Sequence, residues 1–123
     1  MRFVCLLPAN EAHAQERQRG CGGFNFNIMS EGPWPASGRI RQGETCVGGS
    51  RWWIGGNGVF KRLYVATPPV HGKLRLQEGG RFFYTAAGNF IGIDTFTLRV
   101  CGTMGGTDGC ANIAFRMTVR AAR

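Results

Sequence analysis

Acidic residues are scarce in this chain of 123 residues. It has seven Asp and Glu against fifteen Lys and Arg, and its formal net charge is +8. The acids are scattered singly, so the sequence offers neither the clustered carboxylates of a calcium site nor a nearby pair for a hydrolase. Only 18% of the residues are charged. That share is below the typical value of about 25%, so the chain is not a highly charged disordered tail.

Other residue patterns are missing as well. No apolar run approaches the roughly 18 residues of a membrane-spanning helix. His71 is the single histidine beyond the first 14 residues, too few for a zinc site without free thiolates. The serines lack the context of a nucleophile elbow, and the glycine pairs lack the lysine of a phosphate loop. We therefore expect no catalytic residue, no metal and no cofactor, and we do not expect an enzyme.

Glycine and aromatic residues are abundant instead. The chain has 20 Gly, nine Phe and three Trp, and 43% of its residues are hydrophobic. This length and composition fit one domain with a real core. The glycines have no collagen-like three-residue period. They and the prolines separate short aromatic and β-branched segments, which is typical of an all-β fold.

Short strands are predicted along most of the chain. They cover residues 24–29, 52–54, 59–66, 73–76, 81–85, 95–101 and 110–119. The segment Glu31 to Gly38 contains Gly-Pro-Trp-Pro and is predicted to be a loop or an edge. Arg39 to Arg41 is interpreted as a short exposed piece.

The N-terminus resembles the remnant of an export signal. Arg2 precedes an apolar run, and Ala12-His13-Ala14 forms a cleavage pattern. Pro8 interrupts the run, which a misassigned start codon would explain, and an ordinary disordered terminus is the alternative. We expect residues 1–14 to be this remnant and residues 15–123 to be one domain, exported to the periplasm, the cell surface or the medium.

Four cysteines lie beyond the expected leader: Cys21, Cys46, Cys101 and Cys110. An even count in a small, exported domain suggests two disulfides, for which three pairings are possible. A hairpin with Cys101 opposite Cys110 brings the apolar sets of the last two strands together, whereas a one-residue slip would move one set into water. The matched pairs are Val100 with Ala111, Leu98 with Ile113 and Phe96 with Phe115. This register favours Cys101–Cys110 and leaves Cys21–Cys46, although shifts by two residues keep the same parity. The Gly-rich segment from Gly102 to Gly109 is interpreted as a flexible loop.

Residues 67–100 carry a family resemblance. Thr67-Pro68-Pro69-Val70-His71-Gly72-Lys73-Leu74, then Phe83-Tyr84-Thr85, then Asn89-Phe90-Ile91-Gly92-Ile93-Asp94-Thr95-Phe96 resemble the motifs of bacterial cadherin-like, Ig-like domains. Ala86 and Ala87 stand where that family usually has proline. The resemblance implies a β-sandwich of about seven antiparallel strands, found in secreted or surface proteins as a structural or adhesive module.

The motif residues also have folding roles of their own. Gly72 and Gly92 permit tight turns or positive φ. Asp94 can accept backbone N–H groups before a strand, while Phe96 belongs to the core face. Tyr84 can bury its ring and tether a neighbouring loop through its hydroxyl, as a tyrosine corner does.

Two features are candidates for binding. The arginines, among them Arg99 and Arg116, would attract anions if many share one sheet face, the alternative being an ordinary solvated surface. Trp52 and Trp53 are neighbours in a predicted strand, so one ring should enter the core. The other, beside Arg51, could stack on a sugar or a protein, unless the Trp34 loop covers both.

The leading hypothesis is a small exported Ig-like module with a structural, adhesive or assembly role. Its expected partner is another protein subunit or a cell-surface polymer, with self-assembly through edge strands as a further option. The alternative is a module that binds an anion or glycan, such as an acidic glycan or lipopolysaccharide; nucleic acid is not expected. An enzyme or inhibitor with an unrecognised site is the third hypothesis.

Overall fold

The computed structural model describes residues 20–49, 52, 54 and 58–123, and these residues form eight strands and no helix. The strands are β1 (Gly23–Phe24), β2 (Trp34–Arg41), β3 (Thr45–Gly48), β4 (Val59–Thr67), β5 (Gly72–Leu76), β6 (Phe82–Ala86), β7 (Gly92–Met104) and β8 (Thr107–Arg120). A five-stranded sheet has the order β1-β2-β8-β7-β4, and a three-stranded sheet has the order β3-β6-β5. The predicted all-β, Ig-like sandwich is confirmed. The expected leader, residues 1–14, lies outside the described residues.

Strands β7 and β8 form the predicted hairpin. Cys101 lies opposite Cys110, Leu98 opposite Ile113, and Phe96 opposite Phe115. The ladder is longer than predicted and continues to Met104 and Thr107. The interpretation of residues 102–109 as a flexible loop is therefore wrong. Only Gly105 and Gly106, with φ of 60° and 82°, form the turn, a two-residue connection that needs positive φ at both positions.

Strand β2 differs from its prediction. The segment predicted as a loop or edge, together with the short piece after it, forms an eight-residue strand that pairs with β8 in parallel. Burial explains the difference, because Ala36 and Ile40 are 5% and 2% exposed on the inner face. Pro35 is compatible with the strand because β1 pairs only with Ala36 and Ser37. Antiparallel pairing throughout, as the resemblance implied, fails at this one pair.

Two other predicted strands are shorter or absent. The first covers Gly23–Phe24 alone, although Ile28 is buried. Trp52 and Ile54 belong to no strand, and Trp53 lies outside the described residues.

One hydrophobic core joins the two sheets. Phe96 and Phe115 of the larger sheet stack with ring centroids 4.8 Å apart, and Tyr84 of the smaller sheet stacks on Phe96 at 5.2 Å. Phe82 adds an edge contact to Phe115 at 5.4 Å. Aromatic pairs in these arrangements add to the area that each ring buries, so they fix how the sheets face each other.

Two disulfides close the structure. Cys101–Cys110 bridges opposed residues of the hairpin, as predicted, and Cys21–Cys46 joins the start of the described chain to β3. Each bridge stabilises a small domain by roughly 2–4 kcal/mol, mainly by constraining the unfolded chain. Within the described part of the chain, no helix is long and apolar enough to cross a bilayer.

Candidate functional site

Asp94 is the buried charged residue of the described chain, with 1% of its surface exposed. Its Oδ1 accepts the backbone N–H groups of Val70, His71 and Thr95, each at 3.1 Å. Its Oδ2 accepts the hydroxyl of Tyr84 at 2.6 Å. A buried carboxylate is costly unless its oxygens are satisfied. The bonds from Val70 and His71 hold the loop between β4 and β5 onto the start of β7, and the bond from Tyr84 joins β6 to the same carboxylate.

Tyr84 has the tethering role predicted for it, acting through Asp94. Its ring is fully buried and its hydroxyl donates to the carboxylate. Burial, and then the hydrogen bond to Asp94 and its charge, raise the pKa of Tyr84 above the ordinary value of 10.0. The phenol therefore stays un-ionised and remains a hydrogen-bond donor at neutral pH.

The other motif residues also serve the fold. Phe96 is 1% exposed in the core. Gly92 has a φ of 143°, which favours glycine as predicted. Gly72 is needed for a different reason, since a Cβ there would lie 2.6 Å from the Tyr84 ring. Its role is close packing and not a positive φ.

The remaining chemistry-bearing residues stay apart. Asp108 lies near the tip of the hairpin, opposite Thr103, whereas Asp94 lies at the other end of the same ladder. His71 stacks on Phe90 with ring centroids 3.7 Å apart. In the described ranges no three residues among His, Cys, Asp and Glu come together as a metal site would require.

Trp52 packs against the hydrophobic core. It lies 5.5 Å from Phe24 and stacks on Phe60 at 6.0 Å, and its Nε1 donates to the Gly80 carbonyl at 2.7 Å. The ring is therefore partly buried and packs against the core, and its N–H is already used within the protein. Arg51 and Trp53, the other two residues of that predicted site, lie outside the described residues.

Arg99 and Arg116 share the outer face of the larger sheet but differ in their partners. Arg99 donates to Glu31 at 3.2 Å and to Asn112 at 3.1 Å. The hydrogen bond and charge of Arg99 lower the pKa of Glu31. Arg116 is exposed and pairs across the ladders with Thr95 and Ser37. The structure therefore separates these two residues: Arg99 is neutralised locally, while Arg116 belongs to a different group.

We call this group the arginine patch; it consists of Arg39, Arg41, Arg116 and Arg120. Arg41 lies opposite Arg120, while Thr118, between Arg116 and Arg120 on β8, lies opposite Arg39. Alternate residues of a strand point to the same face, so all four guanidinium groups project from the outer face of the larger sheet. Within the described residues the two ion pairs are Lys61–Asp108 and Arg99–Glu31, and neither involves the patch.

Beside the patch is a small depression of about 220 Å³. It is lined by Arg39, Ile40, Arg41, Arg120 and Arg123. Arg41 Nη1 donates to the Ala121 carbonyl at 2.9 Å, and Gln42 accepts the Ala122 N–H at 3.1 Å, which holds the last residues against it. The acid beside it is Glu44, whose Oε1 accepts the Arg41 backbone N–H at 3.2 Å. Four arginines around one depression make it a candidate anion site.

Exposed apolar side chains adjoin the arginine patch. Val70 is 80% exposed, Ile91 60% and Ile93 39%. Ile93 lies opposite Thr118, which in turn lies opposite Arg39, so Ile93 and the patch share one row of the sheet. Asp94 and the stacking of His71 on Phe90 bring the loops of Val70 and Ile91 to the same end. We call Val70, Ile91 and Ile93 the apolar rim.

Sequence reasoning identified the arginine surplus but not the patch. The patch depends on the parallel pairing of β2 with β8, which strand patterns along the chain do not reveal. The available signal was the even spacing within each arginine pair, two residues from Arg39 to Arg41 and four from Arg116 to Arg120, because even spacing places both members on one face of a strand.

The fold and its disulfides define an Ig-like β-sandwich. Residues 55–114 match the model of the family described as bacterial Ig domain. The resemblance stated from residues 67–100 is thereby confirmed, and the matched span extends beyond it on both sides. No curated protein matches the chain. A match to this family, together with two disulfides, fits a surface or structural module of an extracellular or surface protein.

Proposed function

We propose that this protein is an exported Ig-like module with a structural, adhesive or assembly role in the periplasm or at the cell surface, and that it has no catalytic activity. The observation that carries the proposal is the use of the four described cysteines in two bridges of a bacterial Ig-like sandwich. Disulfides persist in oxidising compartments, where proteins of this size depend on them. The buried carboxylate likewise serves a loop and not a reaction.

The proposed partner is another protein subunit or a cell-surface polymer. Strand β4 is one of the two edge strands of the larger sheet and is nine residues long. In the described residues it pairs only with β7, so its other edge can accept a strand from a partner. The exposed Lys61 and Arg62 and two irregular steps in its register disfavour indiscriminate pairing with copies of itself. We therefore favour a specific partner over self-assembly.

Binding of an anion or glycan is the second candidate, and the residues that support it overlap the expected set only at Arg116. Trp52 and Arg99 are engaged within the protein. The arginine patch, which includes Arg116, supports this function better, because none of its members is in an ion pair within the described chain.

Location and association test the proposal together. The full chain should be produced in a bacterium with an epitope tag at the C-terminus of the protein. The cells are then fractionated, and the purified protein is analysed by sedimentation. We expect the tag in the periplasmic or surface fraction and a fully oxidised protein. Retention of the reduced protein in the cytoplasm would contradict the exported role. A sedimenting mass that increases with protein concentration would show self-assembly. It would overturn the preference for a partner other than a second copy of this chain.

A further inference from the structure

We propose that the end of the sandwich formed by the arginine patch and the apolar rim docks on the phosphate-bearing surface of an anionic lipid membrane. The inference rests on the proposed surface or periplasmic location and names what the module touches there. The experiment below uses purified protein and vesicles. A failure of lipid binding would therefore contradict the docking proposal alone, and the fractionation described above would still test the proposed location.

The charge of the arginine patch favours an anionic partner. Four guanidinium groups stand on two adjacent strands, and Glu44 is the described acid beside them. Like charges held together repel one another, and an external anion relieves that repulsion. Arginine binds phosphate oxygens through two parallel N–H bonds, which suits a surface that presents many phosphates.

The apolar rim selects among anionic partners. A soluble polyanion needs positive charge alone. Val70 and Ile91 are 80% and 60% exposed at the end of the sandwich where the patch lies. Aliphatic side chains gain free energy by entering the boundary between lipid headgroups and acyl chains, and this gain adds to the attraction of the arginines.

The loops that carry the rim are held in place before any ligand arrives. Asp94 accepts the N–H groups of both Val70 and His71, and His71 stacks on Phe90 next to Ile91. Rigid presentation lowers the entropy that binding must overcome. The two exposed side chains are therefore built into the fold as a surface and are not the tips of loose loops.

Vesicle co-sedimentation tests the proposal with the full, oxidised chain. The probes are vesicles of phosphatidylglycerol and phosphatidylcholine in equal parts, and vesicles of phosphatidylcholine alone. We expect binding to the first that weakens with added salt, and little binding to the second. Equal binding to both, or binding to neither, would overturn the proposal.

Two double variants test the two arguments separately. Arg116→Gln with Arg120→Gln should weaken binding about 25-fold, at about fivefold per arginine. The matched control is Arg75→Gln with Arg81→Gln, which removes the same charge from two exposed residues beside Phe83 and should change binding far less. Equal losses from both variants would show attraction by net charge only and contradict a docking surface.

Val70→Ser with Ile91→Ser should weaken binding about tenfold or more, because less apolar surface enters the lipid. The matched control is Met29→Ser with Val59→Ser, which removes exposed apolar side chains elsewhere and should leave binding unchanged. The lipid proposal is wrong if the rim variant binds vesicles as tightly as the wild type does and both proteins bind heparin equally tightly. That result would show that the site takes any polyanion. Thermal unfolding of each variant establishes that it is folded.

Discussion

Asp94 joins two parts of the chain that are far apart in sequence. Its carboxylate is buried and accepts three N–H groups and one hydroxyl, one of them from Val70, 24 positions away. The residues around it were recognisable in the sequence as the motif of a turn before a strand. Their bonding partners across the fold were not, because the motif does not state which loop the carboxylate will reach.

Replacing Asp94 by Ala should therefore destabilise the protein by about 3 kcal/mol, since hydrogen bonds to a charged group are lost and buried donors are left without a partner. Urea unfolding gives the measurement. Asp108→Ala is the control, because Asp108 is exposed and its ion pair with Lys61 is worth little. A loss below about 0.5 kcal/mol for Asp94→Ala would contradict the role assigned to the carboxylate.

Tyr84 predicts a dependence of stability on alkaline pH. Its folded-state pKa is raised above the unfolded value of 10.0, so the unfolded chain loses this proton first. The stabilisation is fully present below about pH 10 and is lost as the pH rises further, by up to about 1.4 kcal/mol per pH unit. Tyr84→Phe removes this group, so the stability advantage of the wild type should narrow above pH 10. A constant difference from pH 8 to pH 11 would contradict the account.

At the level of elements, the β7–β8 hairpin was predictable and β2 was not. The hairpin has two alternating apolar sets of similar length and a cysteine pair that fixes the register, so local pattern and tertiary structure agree. Strand β2 contains proline and glycine, which predict a loop or an edge. It becomes a strand because β8 offers it a parallel neighbour and the core accepts Ala36 and Ile40.

Gly102 tests the close approach of β4 to the hairpin. A Cβ at this position would collide with the Val59 carbonyl oxygen, so the ladder from β4 to β7 requires glycine there. Gly102→Ala should cost about 1–3 kcal/mol, as overpacking does. Gly88→Ala is the matched control, because no atom lies within 4 Å of a Cβ at Gly88. Thermal unfolding compares them, and equal midpoints would show that the approach is not constrained.

For the whole molecule, the sequence predicted the class of fold, the disulfide pairs and the folding motif. It did not predict the surface that the arginines form. The residue pattern within one strand shows on which face of the sheet a side chain lies. Which strands lie next to each other depends on the strand order of the sheet. The arginine patch exists because β2 pairs with β8 in the larger sheet. The apolar rim exists because Asp94 holds the loop between β4 and β5 close to Ile93.

The central claim, an exported Ig-like sandwich closed by two disulfides in the described register, is tested most directly by a non-reducing peptide map of the protein isolated from its own compartment. The account predicts that Cys101 is linked to Cys110 and Cys21 to Cys46. Free thiols at Cys101 and Cys110, or a link from either one to Cys21 or Cys46, would contradict both the register of the hairpin and the exported role.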